Sequence, residues 1–286
     1  MFDYFLYRIG QFIALSLPLK IGYKIAVIVS DLHYTFAAKD RRTVKANLKA
    51  IFPEKTDREI RRIRIRMFRN FAKYLVDFFR FSKLDREYIK RNIKIENMHY
   101  FDQALAERKG VITVTAHLGN WELGGALIGI LGYPFWVVAL VHKDKRVNEF
   151  FNFQRKSKGV SVIPLGKAAR QCLNVLRENK VLGLVGDRDF SANGGVKLDF
   201  FGKPTLFPEG PAIFALKTGA VIVPGFMLRN EDDSFTFRSE KPIEFAPTGN
   251  REKDILELIK RYKVIFEEYI RKYPDQWYMF RKFWAD

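Results

Sequence analysis

The sequence contains little cysteine, few acidic residues relative to basic ones, and no long apolar run. Its single cysteine, Cys172, excludes an internal disulfide and fits a reducing compartment. Lys and Arg number 50 against 32 Asp and Glu, so the formal net charge is +18. A cationic excess of this size favours an anionic partner, which can be a nucleic acid, a membrane surface, or an acidic protein or substrate.

The apolar segments near the amino terminus are too short to cross a bilayer, which takes about twenty consecutive apolar residues. Residues 9–19 form an uncharged run of eleven that contains Pro18, and residues 25–30 form a second run after two lysines. No small-residue cleavage site follows either run, so we expect no removable signal peptide. We interpret residues 1–30 as an apolar helical anchor that lies in the membrane interface or inserts shallowly. The alternative is a pair of buried helices that cap the domain.

The second predicted region, residues 31–95, is helical and basic. Thr56 and Glu59 have the spacing of a capping box, and the apolar residues behind them recur at the spacing of a long amphipathic helix. Arginines occupy much of the remaining surface of this helix, namely Arg58, Arg61, Arg62, Arg66 and Arg69. This basic face either is solvated or contacts anionic lipid. The abundant aromatic residues, 27 Phe, 12 Tyr and 4 Trp, suit a protein that lies against lipid.

The third predicted region, residues 96–286, alternates short apolar segments with helical ones. We predict strands at 111–115, 135–140, 160–163, 181–186 and 221–226. Between and after them we predict helices near 120–131, 146–158, 167–179, 208–217 and 251–272. This alternation indicates an α/β fold with a mostly parallel or mixed sheet flanked by helices. In such folds, functional residues collect outside the carboxyl ends of the strands.

The first strand of this region is followed at once by a candidate catalytic pair. The segment TAHLGNWELGG, residues 115–125, places His117 at the end of the strand and Glu122 five residues later in a helix. An imidazole that a carboxylate holds in its proton-accepting tautomer supports general-base activation of a hydroxyl. We predict His117 and Glu122 as catalytic residues. The backbone amides of Gly119 and Asn120, at the start of the helix, are the expected oxyanion site.

Further candidates follow later in the chain. Asp187 and Asp189 come directly after a predicted strand, where they either bind substrate or form a structural ion pair around Arg188. Arg155 lies in a basic stretch, and its guanidinium suits a phosphate or an oxyanion unless it is an ordinary surface residue. We predict Arg155, Asp187 and Asp189 as substrate-binding residues. Glu209 is a further candidate for this role, with helix capping as the alternative.

The sequence offers no sign of a metal, a cofactor or a nucleic-acid partner. The other histidines, His33, His99 and His142, have no accompanying ligands at metal spacing, so we expect no metal ion. A phosphate-binding P-loop and a recognised nucleic-acid-binding module are both missing from the sequence pattern. We therefore expect no cofactor and no nucleic-acid partner.

The order of these motifs resembles the lipid A biosynthesis acyltransferases, the lauroyl and myristoyl transferases of Gram-negative bacteria. The family's His-x-x-x-x-Glu signature falls on His117 and Glu122, and it is similar to the His-x-x-x-x-Asp of the glycerolipid acyltransferases. The likeness extends over nearly the full length, through segments 41–54, 141–164, 186–224 and 273–284. In the last segment, Met279 and Arg281 stand where the family pattern has a Trp and a His.

The resemblance implies a glycerolipid-acyltransferase-like fold and transfer of a fatty acyl chain from a thioester to a hydroxyl of a lipid A precursor or similar glycolipid. The expected donor is an acyl carrier protein, whose acidity suits a chain of charge +18, and acyl-CoA is the alternative. The expected location is the cytoplasmic face of the bacterial inner membrane, where the protein is peripheral or monotopic on an anionic surface. Two other functions stay open. One is an acyltransferase for a phospholipid or phosphatidylinositol mannoside, and the other is a non-enzymatic basic protein that binds membrane or nucleic acid.

Overall fold

The computed structural model describes residues 2–165, 168–188 and 195–284. Its amino-terminal part is helical and comprises α1 (Phe2–Ser16), α2 (Leu19–Phe36), α3 (Ala38–Ile51), α4 (Asp57–Phe79) and α5 (Arg86–Asn92). Pro18 directly precedes α2 and separates it from α1, since proline is tolerated at a helix start but not in a helix interior. Thr56 and Glu59 form the predicted capping box at the start of α4, which is thereby confirmed.

Seven strands form one sheet within the described residues, in the order β1-β9-β8-β2-β5-β3-β4. They are β1 (Ile93–Glu96), β2 (Val111–Thr115), β3 (Phe135–Ala139), β4 (Val160–Pro164), β5 (Val181–Val185), β8 (Val221–Arg229) and β9 (Phe235–Ser239). Neighbouring strands run parallel except β8 and β9, which are antiparallel. A separate antiparallel hairpin is formed by β6 (Val196–Phe200) and β7 (Lys203–Phe207). The predicted α/β fold with a mostly parallel sheet is confirmed.

Helices cover both faces of the sheet, as a mostly parallel sheet requires. They are α6 (His99–Ala106), α7 (Trp121–Ile130), α8 (Lys145–Lys156), α9 (Ala168–Arg177), α10 (Gly210–Thr218) and α11 (Arg251–Lys272). The side chains of β2 alternate between the two faces of the sheet. Ile112 and Val114 belong to one core cluster, and Val111 belongs to the other. The first cluster includes residues of α9, α10 and α11, and the second includes residues of α6, α7 and α8. The long helix α4 contributes to both.

The amino-terminal hairpin of α1 and α2 packs on α4 and exposes its other side. Ala14 and Tyr23 are buried against the core. Large apolar side chains on the outer surface stay exposed, among them Phe5, Leu6, Ile9, Phe12, Ile21, Ile28, Val29, Leu32 and Phe36. No helix in the described ranges has both the length and the apolar character to cross a membrane.

A buried charge network ties this hairpin to the sheet. The Asp77 carboxylate on α4 accepts hydrogen bonds from the Tyr23 hydroxyl on α2 and from the Arg229 guanidinium at the end of β8. It also accepts from Asn120 Nδ2 at 2.8 Å, just before α7. Asp77 and Arg229 have side-chain exposures of 3% and 4%, so each ion depends on the other for the interactions that water would supply.

Replacing Asp77 with Ala should therefore lower the free energy of unfolding by about 3–5 kcal/mol, because Arg229 is left buried without its counterion. Urea denaturation followed by circular dichroism measures this loss. The matched control is Asp57→Ala, which removes an exposed carboxylate that pairs with Lys45 and should change stability far less. Similar losses in the two variants would contradict a structural role for the buried network.

Candidate active site

The candidate site forms where two neighbouring parallel strands end. Thr115 of β2 lies beside Val185 of β5, and in both strands a polar residue follows two positions later. These two residues, His117 and Asp187, therefore meet, with His117 Nδ1 2.6 Å from Asp187 Oδ1. The backbone N–H of His117 also donates to Asp187 Oδ2 at 3.0 Å. The structure thus brings both residues to the carboxyl edge of the sheet, where the sequence places them.

Asp187 is completely buried, and donors hold it in its ionised form. The indole Nε1 of Trp277 donates to Asp187 Oδ2 at 3.0 Å. Burial by itself raises the pKa of this carboxyl, but the charges of His117 and Arg188 and the hydrogen bonds from His117 and Trp277 outweigh it and lower the pKa to about 2. An ionised Asp187 accepts a hydrogen bond from the N–H at His117 Nδ1, so Nε2 is the ring nitrogen that can take up a proton.

The loop that carries His117 is bound to the carboxyl-terminal segment of the chain. The N–H of Tyr278 donates to His117 O at 2.9 Å, and the N–H of Gly119 donates to Gln276 O at 2.9 Å. Gly119 has a φ of +63°, and a Cβ added there would lie 2.0 Å from Met227 O. Glycine is therefore required at this position, both for its backbone conformation and for the close approach of β8.

The expected oxyanion site at Gly119 and Asn120 is wrong for this structure. The N–H of Gly119 is bound to Gln276, and that of Asn120 donates to Met227 O at 2.7 Å. The Asn120 side chain caps α7, since its Oδ1 accepts from the N–H of Leu123 at 3.1 Å. Both backbone amides hold the loop against its neighbours and are not available to a substrate oxygen.

The carboxylate that binds His117 Nδ1 is not the expected one, Glu122. Glu122 instead pairs with Arg155, at 2.5 Å from Oε1 to Nη2 and 2.9 Å from Oε2 to Nε. Both side chains are largely buried, and the Arg155 guanidinium lies over the Phe151 ring. The reason is geometric: β2 and β5 are adjacent and bring Asp187 to the imidazole, whereas α8 brings Arg155 to α7. Arg155 is therefore bound to a protein carboxylate and is largely buried. The side chain that contacts His117 Nδ1 is that of Asp187.

Two substrate-binding candidates remain, Glu209 and Asp189. Glu209 lies half-buried at the start of α10, where its side chain makes no capping hydrogen bond. Asp189 lies outside the described residues. No group of His, Cys, Asp and Glu within the described ranges is arranged to hold a metal ion.

Sequence reasoning missed three residues that support the site. Trp277 and Gln276 lie far from His117 in the chain, and nothing in their local pattern indicates that they bind its loop. Asp77 binds the Asn120 side chain, and here a signal existed, because Asp77 interrupts the apolar run YLVDFF at 74–79. A carboxylate in the apolar face of a helix needs a buried partner, and this requirement points to a network.

The Glu122–Arg155 pair should contribute mainly to stability. Glu122→Ala should lower the free energy of unfolding by about 3–5 kcal/mol, since it leaves a buried guanidinium unpaired. The matched variant Glu122→Leu/Arg155→Met, which removes both charges, should recover most of this loss in urea denaturation. A Glu122→Ala protein of unchanged stability that has lost its turnover would instead point to direct participation in the reaction.

The whole chain, residues 1–286, matches the family model of bacterial lipid A biosynthesis acyltransferases. The phosphatidylinositol mannoside acyltransferase of Mycobacterium tuberculosis is 28% identical to it over 221 residues, which cover 75% of this chain and 68% of that protein. A lipid A biosynthesis acyltransferase of Haemophilus influenzae is 21% identical over 241 residues, which cover 84% of this chain and 74% of that protein. The lipid A biosynthesis lauroyltransferase of Escherichia coli is 21% identical over 222 residues, which cover 77% of this chain and 72% of that protein. Since the match spans every element that builds the His117 site, the chain belongs to the bacterial lipid A biosynthesis acyltransferase family and is an acyltransferase.

Proposed function

We propose that the protein transfers a fatty acyl chain from a thioester donor to a hydroxyl of a glycolipid, with His117 as the general base. The observation that carries this proposal is the contact between His117 Nδ1 and the buried carboxylate of Asp187. An imidazole oriented in this way is suited to take a proton from a hydroxyl at Nε2. Asp187 therefore orients the imidazole, a role that the sequence predicts for Glu122.

The reaction proceeds as a direct transfer. His117 Nε2 takes the proton of the acceptor hydroxyl while the hydroxyl oxygen attacks the carbonyl carbon of the thioester. The C–S bond of the tetrahedral intermediate then breaks, and the leaving sulfur receives the proton from His117. Asp187 stabilises the imidazolium that exists between the two steps, because its negative charge lies 2.6 Å from Nδ1.

A covalent acyl-enzyme on cysteine is not part of this mechanism. The one thiol of the chain, Cys172 on α9, is buried, and its burial raises its pKa to about 12. A thiol with this pKa is protonated at neutral pH and is a poor nucleophile. A thioester is already activated, so the acceptor oxygen can attack it without a protein nucleophile.

Two glycolipid acceptors are supported by different observations. The family match over the full length supports a lipid A precursor. The higher identity to a phosphatidylinositol mannoside acyltransferase, 28% against 21%, supports a mannosylated phosphatidylinositol. For the donor, the charge of +18 supports an acidic acyl carrier protein, which electrostatic attraction would bring to the enzyme, and acyl-CoA is the anionic alternative.

The enzyme should work on the cytoplasmic face of the inner membrane, since the acceptor is a lipid and the donor is cytosolic. The exposed apolar surface of α1 and α2 supplies a face for the lipid interface. Leu140, Val141 and Phe153 are also exposed, and the first two follow β3 at the same sheet edge as His117. Three arginines at the start of α4 stay exposed for anionic headgroups, namely Arg58, Arg61 and Arg62. Arg66 is also exposed but pairs with Asp275, with Nε 3.2 Å from Oδ2. Arg69 is held by Asp31 on α2.

His117→Ala should fold normally and lose at least about a hundredfold in turnover, the usual scale of general-base catalysis. Asp187→Asn should lose a comparable factor, because the amide can hold the ring in the wrong tautomer. Mass spectrometry of lipids from a reaction with acyl carrier protein or CoA thioesters and both acceptors measures this loss. Lys260→Gln, an exposed change on α11, is the control. Nearly full activity in a well-folded His117→Ala protein would refute the assignment.

The membrane contact should depend on the exposed apolar side chains of α1 and α2. Changing Phe12, Ile28 and Leu32 together to Ser should weaken binding to anionic vesicles at least about tenfold, since each side chain contributes about 1.5–3 kcal/mol when buried in lipid. Cosedimentation measures this, and raising the salt concentration should weaken the remaining binding. Val264→Ser on α11 is the control, because Val264 is also an exposed apolar residue. Vesicle binding that is unchanged in the triple variant would show that α1 and α2 act only as packing elements.

A further inference from the structure

Arg188 lies next to the catalytic pair and is not fully partnered. It directly follows Asp187, and its Nη2 donates to Tyr278 O at 3.2 Å. Its Nε is buried and has no hydrogen-bond partner among the described residues. Asp187 is engaged elsewhere, by His117 and by the Trp277 indole. A buried donor without an acceptor is costly, so this guanidinium is suited to an acceptor from outside the chain.

A second guanidinium, that of Arg281, belongs to a residue that follows Tyr278, the acceptor of the Arg188 hydrogen bond, by three positions. Burial lowers the pKa of Arg188, Asp187 raises it, and the positive charge of Arg281 lowers it further. The short chain segment from Tyr278 to Arg281 keeps the two cations in the same part of the molecule. Arg281 itself is exposed at the surface, so the pair consists of one half-buried and one solvent-facing guanidinium. Among the described residues, these two positive charges and the Asp187 carboxylate, which His117 and Trp277 already bind, leave a local excess of positive charge.

We propose that Arg188 and Arg281 bind a phosphate of the acceptor lipid and thereby select phosphate-bearing glycolipids. This proposal rests on the proposed function, because it assigns a subsite to the acceptor of that reaction. Guanidinium groups match the tetrahedral oxygens of a phosphate with paired, charge-assisted hydrogen bonds. A phosphate would also give the buried Nε of Arg188 an acceptor, which the described protein residues do not supply.

The position of the pair favours the acceptor as the source of the phosphate. Tyr278 connects the two sites, because its carbonyl accepts from Arg188 and its N–H donates to His117 O. A phosphate bound by Arg188 therefore lies close to the base. In a glycolipid the phosphate and the reacting hydroxyl belong to one compact headgroup. In a thioester donor, the flexible pantetheine arm separates the phosphate from the reacting carbonyl.

The kinetic test uses the full chain with acceptors that differ only in their phosphate, such as a lipid A precursor before and after phosphatase treatment. Arg281→Gln should raise KM for the phosphorylated acceptor about tenfold or more, the scale of a lost charge-assisted hydrogen bond. It should leave kcat, and KM for the dephosphorylated acceptor, within about twofold. Arg188→Gln should raise KM for the phosphorylated acceptor more strongly, and Arg188→Lys, which keeps a positive charge beside Asp187, should restore part of this loss. Lys260→Gln should change neither constant.

A second arm compares acyl-CoA with the corresponding acyl-pantetheine, which has no phosphate. If Arg281→Gln raises KM only for acyl-CoA, the phosphate comes from the donor and the acceptor assignment is overturned. A fall in kcat on both acceptors, with KM unchanged, would also overturn it and indicate a role in the reacting geometry.

A binding experiment separates this proposal from the proposed function, because it needs no turnover. Inorganic phosphate is titrated into the wild type and the variants, and its binding is followed by ³¹P NMR line broadening. The wild type should bind phosphate, and Arg281→Gln and Arg188→Gln should each weaken this binding about tenfold or more. The Lys260→Gln protein should bind like the wild type. Equal binding in all four proteins would overturn the proposal, whatever reaction the enzyme performs.

Discussion

The site depends on one interaction, the hydrogen bonding of the buried Asp187 carboxylate to the His117 loop and to Trp277. A completely buried carboxylate is tolerated only when donors replace the water it has lost, and Asp187 has the His117 ring, the His117 N–H and the Trp277 indole. These donors come from separate parts of the chain. The same contacts therefore orient the imidazole and fix the carboxyl-terminal segment to the sheet, so the geometry of the proposed site and the position of this segment depend on the same hydrogen bonds.

Three buried or largely buried carboxylates around α7 have different partners, and the partner determines what each does. Asp187 binds an imidazole, which can exchange its proton with a substrate. Glu122 binds Arg155, and Asp77 binds Arg229, and a guanidinium keeps its proton at any physiological pH. We therefore expect the latter two pairs to stabilise the structure around the site rather than to transfer protons. This division explains why the carboxylate nearest in sequence to His117 is not the one that binds Nδ1.

The network around Asp77 also links the proposed membrane face to the catalytic loop. Tyr23 lies on α2, whose outer surface is apolar and exposed, and its hydroxyl binds Asp77. Asp77 in turn accepts from Asn120, which caps α7 three residues after His117. A helix proposed to lie on lipid is thus joined through two hydrogen bonds to the residue that starts α7. This connection gives the proposed orientation of the site toward the bilayer a structural basis.

The sequence by itself determined five strands of the main sheet and the position of the proposed base, His117. Apolar runs such as 111–115 and 181–186 predicted the parallel strands, because strands buried on both faces are apolar throughout, and His117 followed directly from the strand end. It missed β1, β6, β7 and β9. Charged residues and partial exposure leave the first three without a buried-strand pattern, and β9 alternates buried and half-buried residues in place of a continuous apolar run. Tertiary structure alone decided which carboxylate meets the imidazole, because the adjacency of β2 and β5 is set by packing of the whole sheet. It likewise decided that the Gly119 and Asn120 amides bind backbone carbonyls, since those acceptors come from segments more than a hundred residues away.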